Sequence, residues 1–385
     1  MDFCGIRVLV LDGAGKQTHA MIRGLKDIGC HVTVLCSSKN NTCYVSNLPD
    51  EKILENNLST QNENYIPYLL QLVKSGKYDV VMPIGEMSTN VVTQHEDEIS
   101  KYVKLACAPR DTYIKAFNKQ ITFDTAMEVG VPCPYTRFSK QSIEDFLNHA
   151  KFPLIIKPRQ GLGSIGFHKF ETKEEFCGYL NDPSFDVDQY VVQEFVNFDN
   201  RISTNMFVDP KGNICSAYAV DVLRWFPIDA GSAVLIQTIE MNSVLEKGKQ
   251  LLRALHWKGF ANVSFMIDKN TGEPRLLEIN GRIPASVKLA YMCGFNISKQ
   301  MMEMAYDQDV TQYGDNEKYG MSLRHFDTDI AWFMKSPNRF RSKPSWFSWK
   351  NTAEVLYDKH DPRPFWSHFC HQVFNYKTTM KKKRH

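Results

Sequence analysis

The stretch 259–286, GFANVSFMIDKNTGEPRLLEINGRIPAS, decides the fold of this chain. It predicts two β-strands, residues 260–268 and 274–280, joined by a turn at 268–272 that contains Asn and Gly. Glu278 and Asn280 lie two positions apart on the second strand, so their side chains share one face of it. A carboxylate and an amide oxygen on one face suit a Mg²⁺ ion bound to a nucleotide. The remaining sequence can therefore be searched for groups that would hold a nucleotide.

A glycine-rich loop upstream is a candidate for binding phosphates. It follows the predicted strand 152–158 and has the sequence RQGLGSIG, residues 159–166. Glycines allow backbone N–H groups to converge on an anion, and Lys157 adds a positive charge directly before the loop. An ordinary hairpin loop is the alternative interpretation. The candidate phosphate contacts in and around this loop are Lys157, Gly161, Gly163, Ser164 and Gly166.

Two further features are weaker when taken singly. The strand that ends in Gln193-Glu194-Phe195-Val196 could present backbone groups and apolar side chains to an adenine ring, with Glu194 accepting from its amino group. By itself it is equally a buried strand with a terminal acid. Lys119 lies on a short predicted helix, where most lysines are simply solvated.

The N-terminal region predicts a parallel sheet. The apolar run 6–11, a helix at about 16–28 and the strand 31–35 form a βαβ unit with a glycine turn, DGAG. A dinucleotide-binding role is disfavoured because the third glycine of the fingerprint and the acid ending the second strand are missing. In the next unit, Glu86 and Ser88 follow a strand at the edge where ligands of such sheets bind, although either residue could instead cap the helix.

Composition is that of an ordinary globular protein. The 385 residues carry a net charge of +3, which does not favour a nucleic-acid partner. The ten cysteines are scattered, without a CxxC pair, so reduced core thiols are expected. We find no bilayer-spanning apolar stretch and no leader sequence, and we expect a cytoplasmic protein with no membrane partner.

Taken together, the motifs resemble the ATP-grasp superfamily, nearest its carbamoyl-phosphate-synthase-like members. The resemblance rests on the order of Lys119, IIKPRQGLGSIG, VVQEFV and LLEINGR, and it covers about residues 1–310. It implies an α/β and α+β fold: a Rossmann-like pre-ATP-grasp domain at 1–112, a two-lobed ATP-grasp domain at 113–310 and a small C-terminal extension with a basic tail at 311–385. The lid-bearing lobe would span about 113–195 and the metal-bearing lobe about 196–310.

The resemblance also implies roles for individual residues. Lys119 and Lys157 would contact the ATP phosphates, the 160–166 loop would close over them, and Glu194, Phe195 and Val196 would hold adenine. Glu278 and Asn280 would ligate Mg²⁺, and Arg224 and Arg282 would hold the carboxylate substrate and the developing acyl phosphate.

Three positions depart from the family pattern. Ser264 stands where members place Glu or Gln, which leaves a second Mg²⁺ site open while keeping one. Gly281 replaces the proline of the usual ending. Asn200-Arg201 stands where many members carry an acid that binds ribose, so Asp199 is the candidate for that contact.

The expected function is an ADP-forming ligase that activates a small carboxylic acid for capture by an amine or an amino acid. Its cofactors would be ATP and Mg²⁺, its partners small molecules, and a homodimer is compatible with the family. Two alternatives stay open: a bicarbonate-using carboxylase or carbamoyl-phosphate-type enzyme, and a non-catalytic nucleotide-binding protein, which Ser264 favours. An NAD-dependent dehydrogenase would leave the glycine loop and residues 278–282 without a role.

Overall fold

The described residues form a mixed α/β structure with three sheets. The structure is a computed structural model that describes residues 2–161, 166–228 and 231–374. Its strands are β1 (Arg7–Val10), β2 (His31–Cys36), β3 (Glu51–Leu54), β4 (Val80–Met82), β5 (Lys104–Leu105), β6 (Leu154–Pro158), β7 (His168–Phe170), β8 (Tyr190–Glu194), β9 (Phe198–Val208), β10 (Ile214–Phe226), β11 (Ser232–Ile239), β12 (Gly259–Asp268), β13 (Pro274–Asn280), β14 (Gly314–Asp315), β15 (Ser322–Arg324) and β16 (Thr352–Glu354).

Fourteen α-helices are present among the described residues, with one short 3-10 helix at Val187–Gln189. The α-helices are α1 (Lys16–Asp27), α2 (Thr42–Val45), α3 (Tyr65–Lys74), α4 (Glu86–Gln94), α5 (Glu96–Ile99), α6 (Arg110–Phe117), α7 (Lys119–Glu128), α8 (Ile143–His149), α9 (Lys173–Leu180), α10 (Asn242–Ala254), α11 (Val287–Cys293), α12 (Ile297–Ala305), α13 (Phe326–Lys335) and α14 (Arg363–Phe374).

The N-terminal sheet is parallel, as the apolar runs predicted. Its order is β3-β2-β1-β4-β5. Val8 and Val10 of β1 are fully buried, because helices cover both faces of such a sheet. The glycine turn after β1 is closely packed, since a Cβ on Gly13 would lie 2.4 Å from the Cys36 sulfur. All ten cysteines are free thiols, as expected.

A small antiparallel sheet, β7-β6-β8, connects to the large sheet through residues 195–197. The large sheet has the order β13-β12-β9-β10-β11-β15-β16, with β14 paired to β10. The predicted hairpin is present as β12 and β13. One face of this sheet packs on α7 and α10 around Phe265, and the other meets the N-terminal region around Phe207.

The described residues after 310 do not only pack on the surface of the preceding residues; they form part of the large sheet. Strands β15 and β16 continue the large sheet beyond β11. Lys16 and His368 both contact the Asp327 carboxylate, at 2.9 and 3.1 Å, so that α14 and α13 are linked to the start of α1. None of the described helices is long and apolar enough to cross a membrane.

Candidate active site

Three neighbouring strands bring two polar rows onto one face of the large sheet. Strand β12 lies between β9 and β13, and it pairs with both in antiparallel register. A β-bulge on β13 follows the pair formed by Ser264 and Glu278. The first row consists of Ser203, Ser264 and Glu278, and the second of Asn205, Asn262 and Asn280.

These side chains are bonded to one another. Asn280 Nδ2 donates to Glu278 Oε1 at 3.0 Å, and the Ser264 and Ser203 hydroxyls lie 2.9 Å apart. Asn262 Nδ2 donates to Asn205 Oδ1 at 2.8 Å. Asn205 is fully buried, and its own Nδ2 has no partner among the described residues. The predicted pair Glu278 and Asn280 is therefore adjacent, and Ser264 faces Glu278 across the strands.

Two lysines from other elements approach the same carboxylate. Lys157, on β6, donates from Nζ to the Leu277 carbonyl at 3.3 Å and lies over the Phe123 ring at 4.3 Å. Burial lowers the pKa of Lys157 to about 7, although Glu278 opposes that shift. Lys119, the first residue of α7, donates from Nζ to the Gly161 carbonyl at 3.0 Å. Its pKa is also lowered by burial and raised again in part by Glu278 and Glu86.

Arg201 is a site residue to which the sequence analysis gave no role. It precedes Ser203 by two positions on β9, so it shares the face of the polar rows. Burial lowers its pKa, and Glu278 counteracts that effect through its charge. Its guanidinium lies over the Trp225 ring at 5.1 Å and donates to the Gly231 carbonyl at 2.7 Å. The alternation of Arg201, Ser203 and Asn205 along one strand is a signal that could have identified it.

Arg282, which follows β13, joins the end of that strand to the N-terminal region. Its Nε donates to Glu86 Oε2 at 3.2 Å, and the Tyr113 hydroxyl donates to the Glu86 carbonyl at 3.0 Å. Burial raises the pKa of Glu86, while Arg282 lowers it. A small pocket adjoins this link between the two sheets. It is lined by Pro83, Thr89, Cys107, Ala108, Phe260, Gly281, Arg282, Ile283, Met301 and Met304.

The Ser88 hydroxyl is not available to a ligand in this pocket. It is fully buried, and it donates to the Asp12 carboxylate and to the Gly85 carbonyl. Asp12 also accepts from the Ile84 and Gly85 backbone N–H groups, so its carboxylate holds the start of α4. The Ser88 hydroxyl is thus used within the fold, and the substrate contact predicted for Ser88 stays a prediction.

Arg224 is also placed differently from the prediction. Only 2% of its surface is exposed, and its guanidinium donates to the Asp329 carboxylate at 3.0 Å. It also donates to the Ser342 hydroxyl and the Pro344 carbonyl, and it lies over the Trp332 ring at 4.8 Å. A buried ion pair with the C-terminal residues occupies this side chain, and the predicted substrate role of Arg224 stays a prediction.

The predicted adenine strand lies at the connection between the small and large sheets. Glu194 ends β8, and its carboxylate accepts from the Lys151 backbone N–H at 2.7 Å. The Lys169 ammonium lies 4.2 Å from the Phe195 ring centre. Val196 follows in the connecting segment and is half-buried. These contacts leave the adenine role as a prediction.

Part of the predicted nucleotide site falls outside the described residues. Gly161 and Gly166 have positive φ angles of 136° and 76°, which only glycine adopts without strain. A Cβ on Gly166 would come within 2.7 Å of the Pro158 ring. Gly163 and Ser164 lie outside the described residues, as does the Asp199 side chain.

Residues 116–286 match the family model described as the ATP-grasp domain. The D-aspartate ligase of Enterococcus faecium is 24% identical over 267 residues, 63% of this chain and 63% of that protein. The carbamoyl phosphate synthase large chain of Xylella fastidiosa is 25% identical over 291 residues, 70% of this chain and 27% of that protein. The chain thus spans less than two thirds of either relative.

A solved structure has the same fold. The biotin carboxylase domain dimer of Hydrogenobacter thermophilus 2-oxoglutarate carboxylase, solved with MgADP, ADP and bicarbonate, superposes with a TM-score of 0.66. It is 14% identical, and the match covers 82% of this chain and 73% of that one. The resemblance drawn from the motif order is confirmed: residues 116–286 of this chain are an ATP-grasp domain.

Proposed function

We propose that this chain is an ATP-dependent, ADP-forming ligase that activates a small carboxylic acid as an acyl phosphate for capture by an amine or an amino acid. The observation that carries the proposal is that Lys119, Lys157 and Arg201 all interact electrostatically with the Glu278 carboxylate, which is itself bonded to Asn280. These groups come from three separate elements. Their charges exceed those of the nearby carboxylates, so the site is electrostatically suited to a polyanion.

The side chains of the site fit Mg²⁺ bound to a nucleotide. No group of three or more His, Cys, Asp or Glu that could hold a metal by itself exists in the described part of the chain. Glu278 offers one carboxylate and Asn280 one amide oxygen, and Mg²⁺ in phosphate-transfer sites takes its remaining ligands from phosphates and water. The Ser264 hydroxyl already contacts Ser203, which supports one protein-held metal site and not two.

When bound, Mg²⁺·ATP supplies the phosphoryl group and neutralises its charge. Lys157 and Lys119 would hold the phosphate chain, and the glycine loop, linked to Lys119 through the Gly161 carbonyl, would cover it. Glu194, Phe195 and Val196 would contact adenine, with Asp199 near the ribose. Phosphoryl transfer depends mainly on positioning and on charge neutralisation, which these groups provide without covalent chemistry of their own.

The acid substrate would bind between the two sheets. Arg282 lies beside the pocket that the N-terminal sheet and β12 form together, and Glu86 holds it in place. Because Arg224 is buried in an ion pair, we assign its predicted role to Arg201, which lies on the polar face and interacts with Glu278. Arg201 and Arg282 would thus hold the acid and its developing acyl phosphate.

The sheet organisation supports the first two of the proposed domains. Strands β1–β5 and β6–β8 form separate sheets within residues 1–112 and 113–195, whereas the large sheet of β9–β13 also contains β14–β16 and so extends past residue 310. The short connection 195–197 between the second and third sheets would allow the glycine loop to close over a nucleotide. Residues 311–385 form the proposed C-terminal extension.

The test is release of ADP from ATP by the purified chain, with pooled acids and amines added singly and together. We expect ADP and phosphate with both substrates, and slow release with the acid alone. The Lys157→Met variant should lose this activity, whereas Lys77→Met, an exposed lysine remote from Glu278, should keep it. Formation of AMP and pyrophosphate would contradict the proposal, and turnover with bicarbonate alone would favour the carboxylase alternative.

One observation favours a non-catalytic nucleotide-binding protein. The Ser203 and Ser264 hydroxyls bond to each other where a second metal ligand would otherwise stand. Under that alternative, calorimetric titration would show ATP binding of equal strength with and without Mg²⁺, and no acid would support ADP release. The ligase proposal requires that Mg²⁺ strengthens ATP binding.

A further inference from the structure

The most exposed large apolar side chains of the described residues lie together in one segment. Residues 333–350, which we call the basic aromatic segment, run from the end of α13 toward β16. Phe340 is 72% exposed, Phe347 65% and Met334 58%, more than any other large apolar residue in the described chain. Clustered exposed apolar groups usually mark an interaction surface.

The Phe340 and Phe347 rings form one apolar knob with Phe333. The Phe340 and Phe347 rings both contact the Phe333 ring, with centroids 5.4 and 5.9 Å away. Met334 follows Phe333 directly at the end of α13. The half-buried Trp346 ring packs against the Phe333 ring, and the two ring centroids are 4.5 Å apart.

The segment that carries the knob has positively charged side chains and no acidic ones. The segment contains five cations and no Asp or Glu, and the sequence has no acid anywhere between Asp329 and Glu354. Four of the cations are exposed and Arg339 is half-buried beside Phe340. The five cations are Lys335, Arg339, Arg341, Lys343 and Lys350.

The segment is held in place from beneath by buried polar contacts. Arg224 donates to the Ser342 hydroxyl and to the Pro344 carbonyl, and Trp346 Nε1 donates to the Asp329 carbonyl at 3.2 Å. The Arg324 guanidinium lies over the Trp346 and Trp349 rings at 4.7 and 4.6 Å. The exposed rings therefore project from a fixed base, although the segment lacks regular helix or strand over residues 336–351.

We propose that the basic aromatic segment binds the surface of a membrane that contains anionic lipids. Apolar aromatic tips enter the boundary between headgroups and acyl chains, and flanking Lys and Arg are attracted to the negative headgroups. This is attachment to the surface and requires no spanning helix. It adds a membrane partner that the sequence analysis did not expect, and it is independent of the proposed ligase activity.

The geometry disfavours other occupants. Single-stranded nucleic acid binds to separate ring faces along a groove, whereas here Phe340 and Phe347 meet on Phe333 and Met334 offers no ring. A second copy of this chain would place five cations opposite five cations, which repel one another.

The test uses the full chain with vesicles of phosphatidylcholine alone and of phosphatidylcholine mixed with phosphatidylserine. We expect co-sedimentation with the anionic vesicles only, a blue shift of tryptophan emission on binding, and weakening by high salt. Phe340→Ser with Phe347→Ser, and separately Arg341→Glu with Lys343→Glu, should each lower vesicle binding roughly tenfold or more. Phe138→Ser with Lys140→Glu, a matched pair on another surface, should bind as the unchanged chain does.

Circular dichroism melting of each variant establishes that it is folded. The proposal would be overturned if the Phe340 and Phe347 variant bound anionic vesicles as strongly as the unchanged chain. It would also be overturned if binding were lost only on introducing Lys382→Glu and Lys383→Glu in the basic tail. Binding to single-stranded RNA but not to anionic vesicles would assign the segment to nucleic acid and overturn it. A dimer that dissociates in the Phe340 and Phe347 variant, without vesicle binding, would assign it to self-association.

Discussion

Two carboxylates in this molecule are each surrounded by cations, and they differ in how completely their surroundings are closed. Asp329 is fully buried, and Arg224 and Arg324 both donate to it. Two guanidinium groups share one carboxylate, so one positive charge is left over. The Pro344 carbonyl and the faces of tryptophan rings stabilise it. The cluster is closed to solvent, although Arg224 Nε and Arg324 Nη2 are buried without hydrogen-bond partners among the described residues.

Glu278 is only half-buried, and its surroundings are incomplete. Lys119, Lys157 and Arg201 act on it through their charges, while Glu86 is the one further carboxylate acting on Lys119. Lys157 donates to a backbone carbonyl, at 3.3 Å, and lies over the Phe123 ring. An arginine or lysine beside an acid therefore does not by itself identify a binding site. A group of cations does so when it is accessible and carries more charge than the neighbouring carboxylates.

The largest effect is expected for Glu278→Gln. The substitution removes the carboxylate proposed to bind Mg²⁺ while keeping its size, so ADP formation should fall by about a thousandfold. The melting temperature should change little, because Glu278 is not enclosed as Asp329 is. Steady-state ADP release and circular dichroism on the same preparation measure both quantities. Activity within tenfold of the unchanged chain would show that Glu278 is not the metal ligand.

At Asp329 the opposite pattern is expected. Asp329→Asn leaves two buried guanidinium groups without their carboxylate, which should lower the free energy of unfolding by about 3–5 kcal/mol. Urea denaturation measures the loss. Asp309→Asn is the matched control, because Asp309 is 91% exposed in its pair with Lys211 and exposed pairs contribute less than about 1 kcal/mol. ATP affinity of the folded Asp329→Asn protein should be unchanged, and a loss of affinity would contradict the separation of the two clusters.

Local pattern was sufficient to predict the elements around Glu278. Two strand-like stretches joined by the Asn- and Gly-containing turn at 268–272 predicted the hairpin, and spacing by two predicted that Glu278 and Asn280 share a face. The apolar run at 6–11 likewise predicted the parallel N-terminal sheet. These features depend on residues that are close in sequence, so the pattern carries the information.

The fates of Arg224 and Ser88 depend on residues that are far away in sequence. Asp329 lies 105 positions after Arg224, and Asp12 lies 76 positions before Ser88. No periodicity in the sequence links such pairs. Arginine and serine also occur in ligand sites, so the residue type alone does not show that the side chain is used within the fold. Arg201 was within reach of the pattern, because it alternates with Ser203 and Asn205, but its approach to Glu278 requires the strand order β9-β12-β13.

Replacing Arg201 and Arg224 in two separate variants tests the comparison further. Arg201→Gln should raise KM for the acid substrate by roughly tenfold to a hundredfold, since a lost hydrogen bond to a charged group costs about 1.5–3 kcal/mol. Its stability should be nearly unchanged. Arg224→Gln should instead lower the melting temperature and leave KM unchanged. Initial rates over a range of acid concentrations, with thermal melts, distinguish the two, and identical behaviour of both variants would contradict the assignment of Arg201.

The smallest effect concerns the proton on Lys157. Burial lowers its pKa from 10.5 to about 7, so at pH 8 most of the free protein carries a neutral Lys157. Nucleotide phosphates favour the charged form, so binding should take up close to one proton at pH 8 and much less at pH 6. Calorimetric titration of Mg²⁺·ATP in buffers of different ionisation enthalpy measures this uptake. Lys157→Arg is the control, because an arginine stays charged and should bind nucleotide without uptake.

The same pKa also makes stability depend on pH, with the opposite sign to a salt-bridged lysine. Between pH 7 and 10.5 the unfolded chain, with Lys157 protonated, binds more protons than the folded chain, so the contribution of Lys157 to the free energy of unfolding rises with pH. In Lys157→Met this contribution is absent, and the stability of the variant relative to the unchanged chain should fall as pH increases over that range. An uptake of protons that persists in Lys157→Arg would place the titrating group elsewhere in the Glu278 cluster, with Lys119 the next candidate because burial lowers its pKa as well.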